Sequence, residues 1–253
     1  MSTTFKDHFS RHASVYRNAR PGYPQALYRW LVRQLPSAAS TRAWDCATGN
    51  GQVAEVLCSH VDAVIATDAS AAQIANAPMD TQVEYRAAPA ESSGLDPGSV
   101  HLITVAQALH WFDQPRFYAE ALRVLDVRGV LAIWTYQQVT VSGDVDAVVD
   151  RLYGETLDAY WPPERVHVEQ GYRGILPDWQ RLAVPRFETA CDWTVATLAA
   201  YLRSWSATQR FIRAKGFDPV AACYGELAKA FGEGRRRVRW PLVVHVFRRP
   251  DPD

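Results

Sequence analysis

The chain alternates short apolar runs with segments whose apolar residues recur every three or four positions. In "QALYRWLVRQL" Leu27, Trp30, Leu31 and Leu35 fall at helical spacing behind Pro21 and Pro24, which predicts an amphipathic helix. "TRAWDCATG" is an apolar run that ends in a glycine turn, and "QVAEVLCSHV" after it is helical, with Val53, Val56 and Leu57 on one face. "DAVIATD" has the small and β-branched residues of a buried strand, and "SAAQIANA" reads as the helix that follows. "VEYRAA" is a third strand, and "SVHLITVAQA", behind the turn "DPGS", a fourth. "QPRFYAEALRVL" places Phe117, Ala121, Leu122 and Leu125 on one helical face, and "GVLAIWTY" is a fifth strand. Strands alternating with helices of about 8–12 residues read as βαβ units, hence as a parallel sheet with right-handed crossovers.

After about Gln138 the rhythm breaks. Residues 141–182 read as helical and hold Tyr153, Tyr160, Trp161, Tyr172 and Trp179, so they are expected to form an insertion over the strand ends. "WTVATLAAYLRSW" follows as a helix with Leu198, Tyr201, Leu202 and Trp205 in register, and the alternating "VRWPLVVHVFRR" is a last strand. Pro241 suggests a bulge or an edge position there.

Composition narrows the function. The 253 residues are 48% hydrophobic and 21% charged, with a formal net charge of zero, so no electrostatic footprint for nucleic acid or an anionic membrane is expected. "RRRVRW" (Arg235 to Trp240) accordingly reads as the solvated start of a strand. Cys46, Cys58, Cys191 and Cys223 lie far apart without a CxxC pair, which speaks for reduced thiols and against a zinc site or a disulfide framework. The segment "MSTTFKDHFSRHASVYRNARPGYP" has no signal-peptide core, and no apolar run approaches the roughly 20 residues that span a bilayer. A soluble, cytoplasmic protein without a metal is expected, working as a monomer or homodimer on a small molecule.

The chemistry concentrates in "AWDCATGNGQVAEVL". A glycine turn that follows the first strand and opens a helix is where open α/β sheets bind nucleotides. Gly49 and Gly51 lack a Cβ and let backbone approach a ligand. Asp68 ends the second strand, 19 residues after Gly49, where a carboxylate accepts hydrogen bonds from both ribose hydroxyls. A plain tight turn with Asp68 as a helix cap is the structural alternative. "GNGQVA" also fits the dinucleotide pattern GxGxxG/A, but Asp45 lies before the turn, where a pyrophosphate gains nothing from a negative charge. S-adenosylmethionine (SAM), with an ammonium, a sulfonium and no phosphate, suits Asp45 better.

"WDCATGNG", "ATDAS", "VEYRAAPAE" and "VAQALHWFD" resemble, in order, the glycine loop, acidic strand end, adenine segment and post-strand-4 motif of class I SAM-dependent methyltransferases. The nearer resemblance is to the type-11 branch that includes trans-aconitate methyltransferase-like enzymes, with "YRNARPGYPQALYRWL" similar to that branch's N-terminal segment. The resemblance covers roughly residues 9–135, and "YLRSWSA" is similar to a later element. It implies one domain over residues 1–253: a Rossmann-like, seven-stranded, mostly parallel sheet with an antiparallel C-terminal strand and helices on both faces. An N-terminal helical region (1–36) and a helical lid (141–182) would complete it. It also implies that Asp45, Ala47, Gly49 and Gly51 line the methionine end and ribose, with Asp68 on the ribose hydroxyls and Ala69 and Gln73 beside the adenine. Ala90 and Glu91 would read the adenine edge, and Ala106 and Gln107 would offer carbonyls to the ammonium. Arg20 is the candidate for the cofactor carboxylate, which a guanidinium matches in bidentate fashion. Ala47 stands where the family commonly has glycine.

Methyl transfer needs a nucleophile held behind the sulfonium methyl, so orientation carries most of the rate. His110 is the candidate general base for a hydroxyl or amine acceptor; alternatively it is a structural histidine, or one that contacts the cofactor. A carboxylate acceptor, which the resemblance favours, needs no base. Trp111 is expected beside the sulfonium, and Tyr136 with the aromatics of 141–182 around the acceptor. Arg165 and Arg173 are candidate partners for an anionic acceptor. The rival readings are a nicotinamide-dependent oxidoreductase and a SAM-binding module without catalysis.

Overall fold

The computed structural model describes residues 21–37, 40–78 and 82–251. Its centre is one seven-stranded sheet made of β1 (Arg42–Cys46), β2 (Ala63–Asp68), β3 (Val83–Ala87), β4 (Val100–Ala106), β5 (Leu125–Tyr136), β6 (Phe187–Trp193) and β7 (Arg236–Arg248). The order across the sheet is β3-β2-β1-β4-β5-β7-β6. β1 to β5 are mutually parallel, β7 runs antiparallel to β5, and β6 antiparallel to β7. Six strands therefore point one way and β7 the other, as the Rossmann-like expectation had it.

Neighbouring residues of the central strands bury to opposite faces. Ala43, Leu102, Val130, Ala132 and Trp134 join one core, whereas Trp44, Ile103, Leu131 and Ile133 join the other. A parallel sheet covered on both faces needs such continuously apolar strands, which is why β1, β4 and β5 appear in the sequence as runs rather than alternations. Helix α1 (Gln25–Val32), α2 (Gln52–Leu57) and the short α3 (Ala71–Ile74) belong to the first half. α4 (Gln114–Val124) follows β4; Asp113 caps it by accepting from the Arg116 N–H, and Phe117, Ala121 and Val124 are its buried apolar residues. Leu122, expected on that face, is exposed, and Leu125 already begins β5.

Glu120 on α4 fixes the loop after β3. Its carboxylate accepts from the Ser93 N–H (2.8 Å) and hydroxyl (2.5 Å) and pairs with Arg123. Arg123 also donates to the Leu95 carbonyl. The arginine and Ser93 together hold the Glu120 carboxyl at about 2, well below the usual glutamate range. A loop tethered this firmly presents its preceding residues, Ala88–Ser92, to the functional cleft.

Beyond β5 come α5 (Gly143–Arg151), a π turn at Leu152–Thr156, a 3-10 turn at Asp158–Tyr160 and α6 (Arg165–Glu169). The region 141–182 is therefore helical as far as Glu169 and irregular afterwards. Then follow β6, α7 (Val195–Arg203), α8 (Ser206–Lys215) and α9 (Pro219–Phe231). The expected helix from Trp193 to Trp205 is shorter: Trp193 ends β6, Thr194 caps α7, and Trp205 lies past its end. Pro241 marks neither a bulge nor an edge, since β7 lies between β5 and β6. Its carbonyl accepts from the Gln137 N–H at the point where β5 ends. The N–H that proline lacks would point to that same side, so almost no ladder is lost. Among the described residues, no helix is long and apolar enough to cross a membrane.

Candidate active site

The strand order reverses direction between β1 and β4, and ligands of open α/β sheets bind at such a switch point, outside the carboxyl ends of the strands. A cleft of about 830 Å³ opens there. Its floor is Asp45, only 1% exposed. The β1–β4 register puts Asp45 opposite Thr104, whose hydroxyl donates to Oδ1 (2.7 Å), while the Thr48 hydroxyl donates to Oδ2 (2.5 Å). Burial still raises the carboxyl to about 6, against the opposing pull of those two hydroxyls.

Asp68, at the end of β2, is the second buried carboxylate. Its Oδ2 accepts from the Gly49 N–H (2.9 Å) and its Oδ1 from the Ser70 N–H (2.8 Å). A carboxylate offers about four acceptor sites, so shaping the loop is compatible with holding a ribose. The structural alternative for Asp68 thus describes part of its role. The loop itself is a tight turn closed by the Gly51 N–H on the Thr48 carbonyl, with Gly49 at φ +59°.

Ala47, Gly49, Asp68, Ala69, Gln73, Ala90, Glu91, Ala106 and Gln107 all line the cleft with Asp45, and so do His110, Trp111 and Tyr136. Gly51 does not. It sits at φ +92° as the residue before α2, and a Cβ there would collide with the Tyr85 ring. Its glycine serves backbone conformation and packing. Arg173 is exposed and lines neither this cleft nor the adjoining chamber, because the chain turns outward after the buried Tyr172. Arg20 lies outside the described residues. Tyr23, Thr48 and Asn50 line the cleft as well; their positions in the glycine loop and just before α1 were the only signal available.

A smaller chamber of about 80 Å³ adjoins the cleft and shares Gln107, His110, Trp111 and Tyr136 with it. Its walls include Tyr153, Trp161, Tyr201, Trp205 and Arg165. The Arg165 guanidinium lies 4.8 Å from the Trp161 ring centre and 5.4 Å from that of Tyr153, and Nε donates to the Tyr153 hydroxyl (2.8 Å). Tyr136 stacks on Tyr23 and donates to the Pro21 carbonyl (2.6 Å). His110 Nδ1 lies 3.0 Å from the Tyr172 hydroxyl.

Residues 45–53, which form the turn, contain one carboxylate, Asp45, and no lysine or arginine. A buried carboxylate at the floor and a second one beside the loop suit a cationic nucleoside rather than a pyrophosphate. Fold and site together define a nucleoside-cofactor-binding α/β enzyme. Comparison with known proteins agrees. A family model described as a methyltransferase domain, of type 11, matches residues 44–133. A Dictyostelium discoideum protein named as a methyltransferase is 35% identical over 232 residues, covering 90% of this chain and 88% of that protein. A Saccharomyces cerevisiae protein named for S-adenosylmethionine-dependent methyl transfer is 28% identical over 131 residues, which is 49% of this chain and 45% of that one. A solved structure from Anaeromyxobacter dehalogenans, described as a type II methyltransferase, is 42% identical with a TM-score of 0.85, covering 92% of this chain and 99% of that one. The chain belongs to the class I SAM-dependent methyltransferases.

Two measurements check this geometry. If Asp45 faces the cofactor's ammonium, its carboxyl, raised to about 6 by burial, must be ionised to attract it. SAM affinity measured by calorimetry should therefore fall by up to about tenfold per unit below about pH 6 and level off near pH 7, up to the pH at which the cofactor's own ammonium deprotonates. Asp45→Asn should bind more weakly and lose that dependence. Ala47 has φ +54°, which costs a non-glycine residue about 1 kcal/mol. Ala47→Gly should bind SAM at least as tightly as the parent; weaker binding would show that the methyl group contributes a contact.

Proposed function

We propose that the protein methylates an oxygen of a small molecule seated in the aromatic chamber, with a carboxylate acceptor favoured. The observation that carries this is the shared wall: Gln107, His110, Trp111 and Tyr136 face both the cofactor cleft and the chamber. SAM supplies an electrophilic methyl group on a sulfonium. Asp45, Asp68 and the loop they shape would hold it, and the shared wall would set the line of attack. Tyr136 and Trp111 exclude water and present aromatic faces to a cation. Arg165 supports an anionic acceptor, because its guanidinium is held against the Tyr153 and Trp161 rings at the chamber wall. It takes the place that sequence reading offered equally to Arg173. A trans-aconitate-like acceptor is the form of this reading that the family resemblance implies.

A hydroxyl acceptor is the second reading, favoured by the position of His110 on the shared wall. The nicotinamide alternative requires a second βαβαβ half, and the sheet beyond β5 is instead completed by antiparallel β7 and its neighbour β6. A concave aromatic chamber adjoining the cleft supports catalysis over a purely partner-binding module. A net charge of zero supports a small-molecule partner over nucleic acid, in a cytoplasmic monomer or homodimer that uses no metal.

A screen of small carboxylic acids, phenols, alcohols and amines with radiolabelled SAM tests the reading. Carboxylic acids should turn over, and His110→Ala should leave that turnover within about threefold, since no base is needed. Loss of about 10²-fold or more without loss of SAM binding would mark a proton-bearing acceptor.

A further inference from the structure

Residues 171–182 return the aromatic insertion to the sheet. The Leu182 N–H donates to the Val246 carbonyl and the Arg248 N–H to the Gln180 carbonyl, so the end of this segment pairs with β7. On β7, His245 is only 2% exposed, and its two ring nitrogens meet different partners. Nε2 lies 2.7 Å from the Gly171 carbonyl oxygen, and Nδ1 lies 2.6 Å from Nη2 of Arg181. A carbonyl only accepts and a guanidinium only donates. The ring is therefore neutral with its proton on Nε2, because a proton on Nδ1 would confront the guanidinium.

The carbonyl that His245 holds belongs to the turn that closes α6. There the Gly171 N–H donates to the Val168 carbonyl and the Tyr172 N–H to the His167 carbonyl. Gly171 (φ +58°) and Tyr172 (φ +64°) are both left-handed, and a non-glycine residue keeps that conformation where surrounding structure over-determines it. From this turn Tyr172 reaches His110, while α6 presents Arg165 and Val168 to the chamber.

We propose that His245 is a positioning residue for methyl transfer: its neutral ring ties the Gly171 carbonyl to β7, and this holds Tyr172 against His110 and α6 beside the chamber. The proposal rests on the methyl-transfer reading for what the tie serves. The charges acting on the ring are Arg181 and Arg173, both cationic and both on the returning segment. Ile133 of β5 lies opposite in the ladder, and Phe247 stacks at 6.5 Å. Burial, together with the two arginines, pushes His245 below the usual histidine range, against the pull of the Gly171 carbonyl. Tyr172, on the same segment, is pushed up by burial and stays a neutral phenol. The tie is thus complete at neutral pH and is lost as acid charges the ring.

15N NMR of histidine-labelled protein reads the tie without any acceptor, with the His245 and His110 signals assigned by their loss in His245→Gln and His110→Gln. His245 should show a protonated Nε2 and an unprotonated Nδ1, and should remain neutral at about pH 6.5, where an unperturbed histidine is half charged. Arg181→Met removes the donor and a nearby cation, so the titration midpoint of His245 should rise by about one pH unit. In His245→Leu the His110 signals should shift. At saturating SAM, kcat/KM for the acceptor should then fall about tenfold or more, with affinity for S-adenosylhomocysteine within about twofold of the parent. The amide of His245→Gln offers a donor and an acceptor and does not titrate, so it should recover most of that loss. An Nδ1–H tautomer, or half-charging at or above about pH 6.5, overturns the proposal. So does a folded His245→Leu variant with unmoved His110 signals or unchanged acceptor turnover. Shifted His110 signals in a protein that methylates no acceptor would instead count against the methyl-transfer reading and leave the tie in place.

Discussion

Asp45 and Asp68 end adjacent parallel strands and are both nearly buried, and the loop between them exists in its observed shape because their charges must be satisfied. An isolated carboxylate in such a place costs several kcal/mol. Thr104 and Thr48 serve Asp45, while the Gly49 and Ser70 amides serve Asp68. Each partner is a residue of the cofactor cleft or of the strand beside it. The carboxylates therefore pull the glycine loop into place before a ligand arrives, and they leave negative charge where a cationic nucleoside needs it.

Backbone conformation follows from the same constraint. Ala47, Gln107 and Tyr172 are the non-glycine residues with positive φ among the described residues. Two line the cleft and the third backs His110. Such strain gathers at functional sites, and here it surrounds the one wall that cleft and chamber share. The aromatic insertion contributes from the far side: Tyr172 reaches back to His110, and Arg165 is fixed against Tyr153 and Trp161. One layer thus lines both the cleft and the chamber, through residues that are far apart in sequence.

Much of this was legible because it depends on local pattern. Continuous apolar runs ending in Asp45, Asp68 and Ala106 mark buried parallel strands, and the spacing from Gly49 to Asp68 follows from one βαβ step. What sequence reading missed depends on tertiary contact. β6 buries little beyond Thr189 and Trp193, so it shows no alternation, and Trp193 looked like the start of a helix. α8 and α9 passed unremarked in a stretch without motifs. Gly51 appears to be a ligand-side glycine until Tyr85 is seen against it, and nothing in sequence separates Arg165 from Arg173. "RRRVRW" was read correctly: Val238 and Trp240 turn inward, while Arg237 and Arg239 pair with Asp192 and Glu188 on β6.

Charge distinguishes the two cofactors that the glycine loop could serve: two carboxylates are buried beside it and the turn carries no cation. Calorimetric titration with S-adenosylhomocysteine and, separately, with NADH measures that most directly. The account predicts saturable binding of S-adenosylhomocysteine and none of NADH. Binding of NADH without affinity for S-adenosylhomocysteine would contradict it.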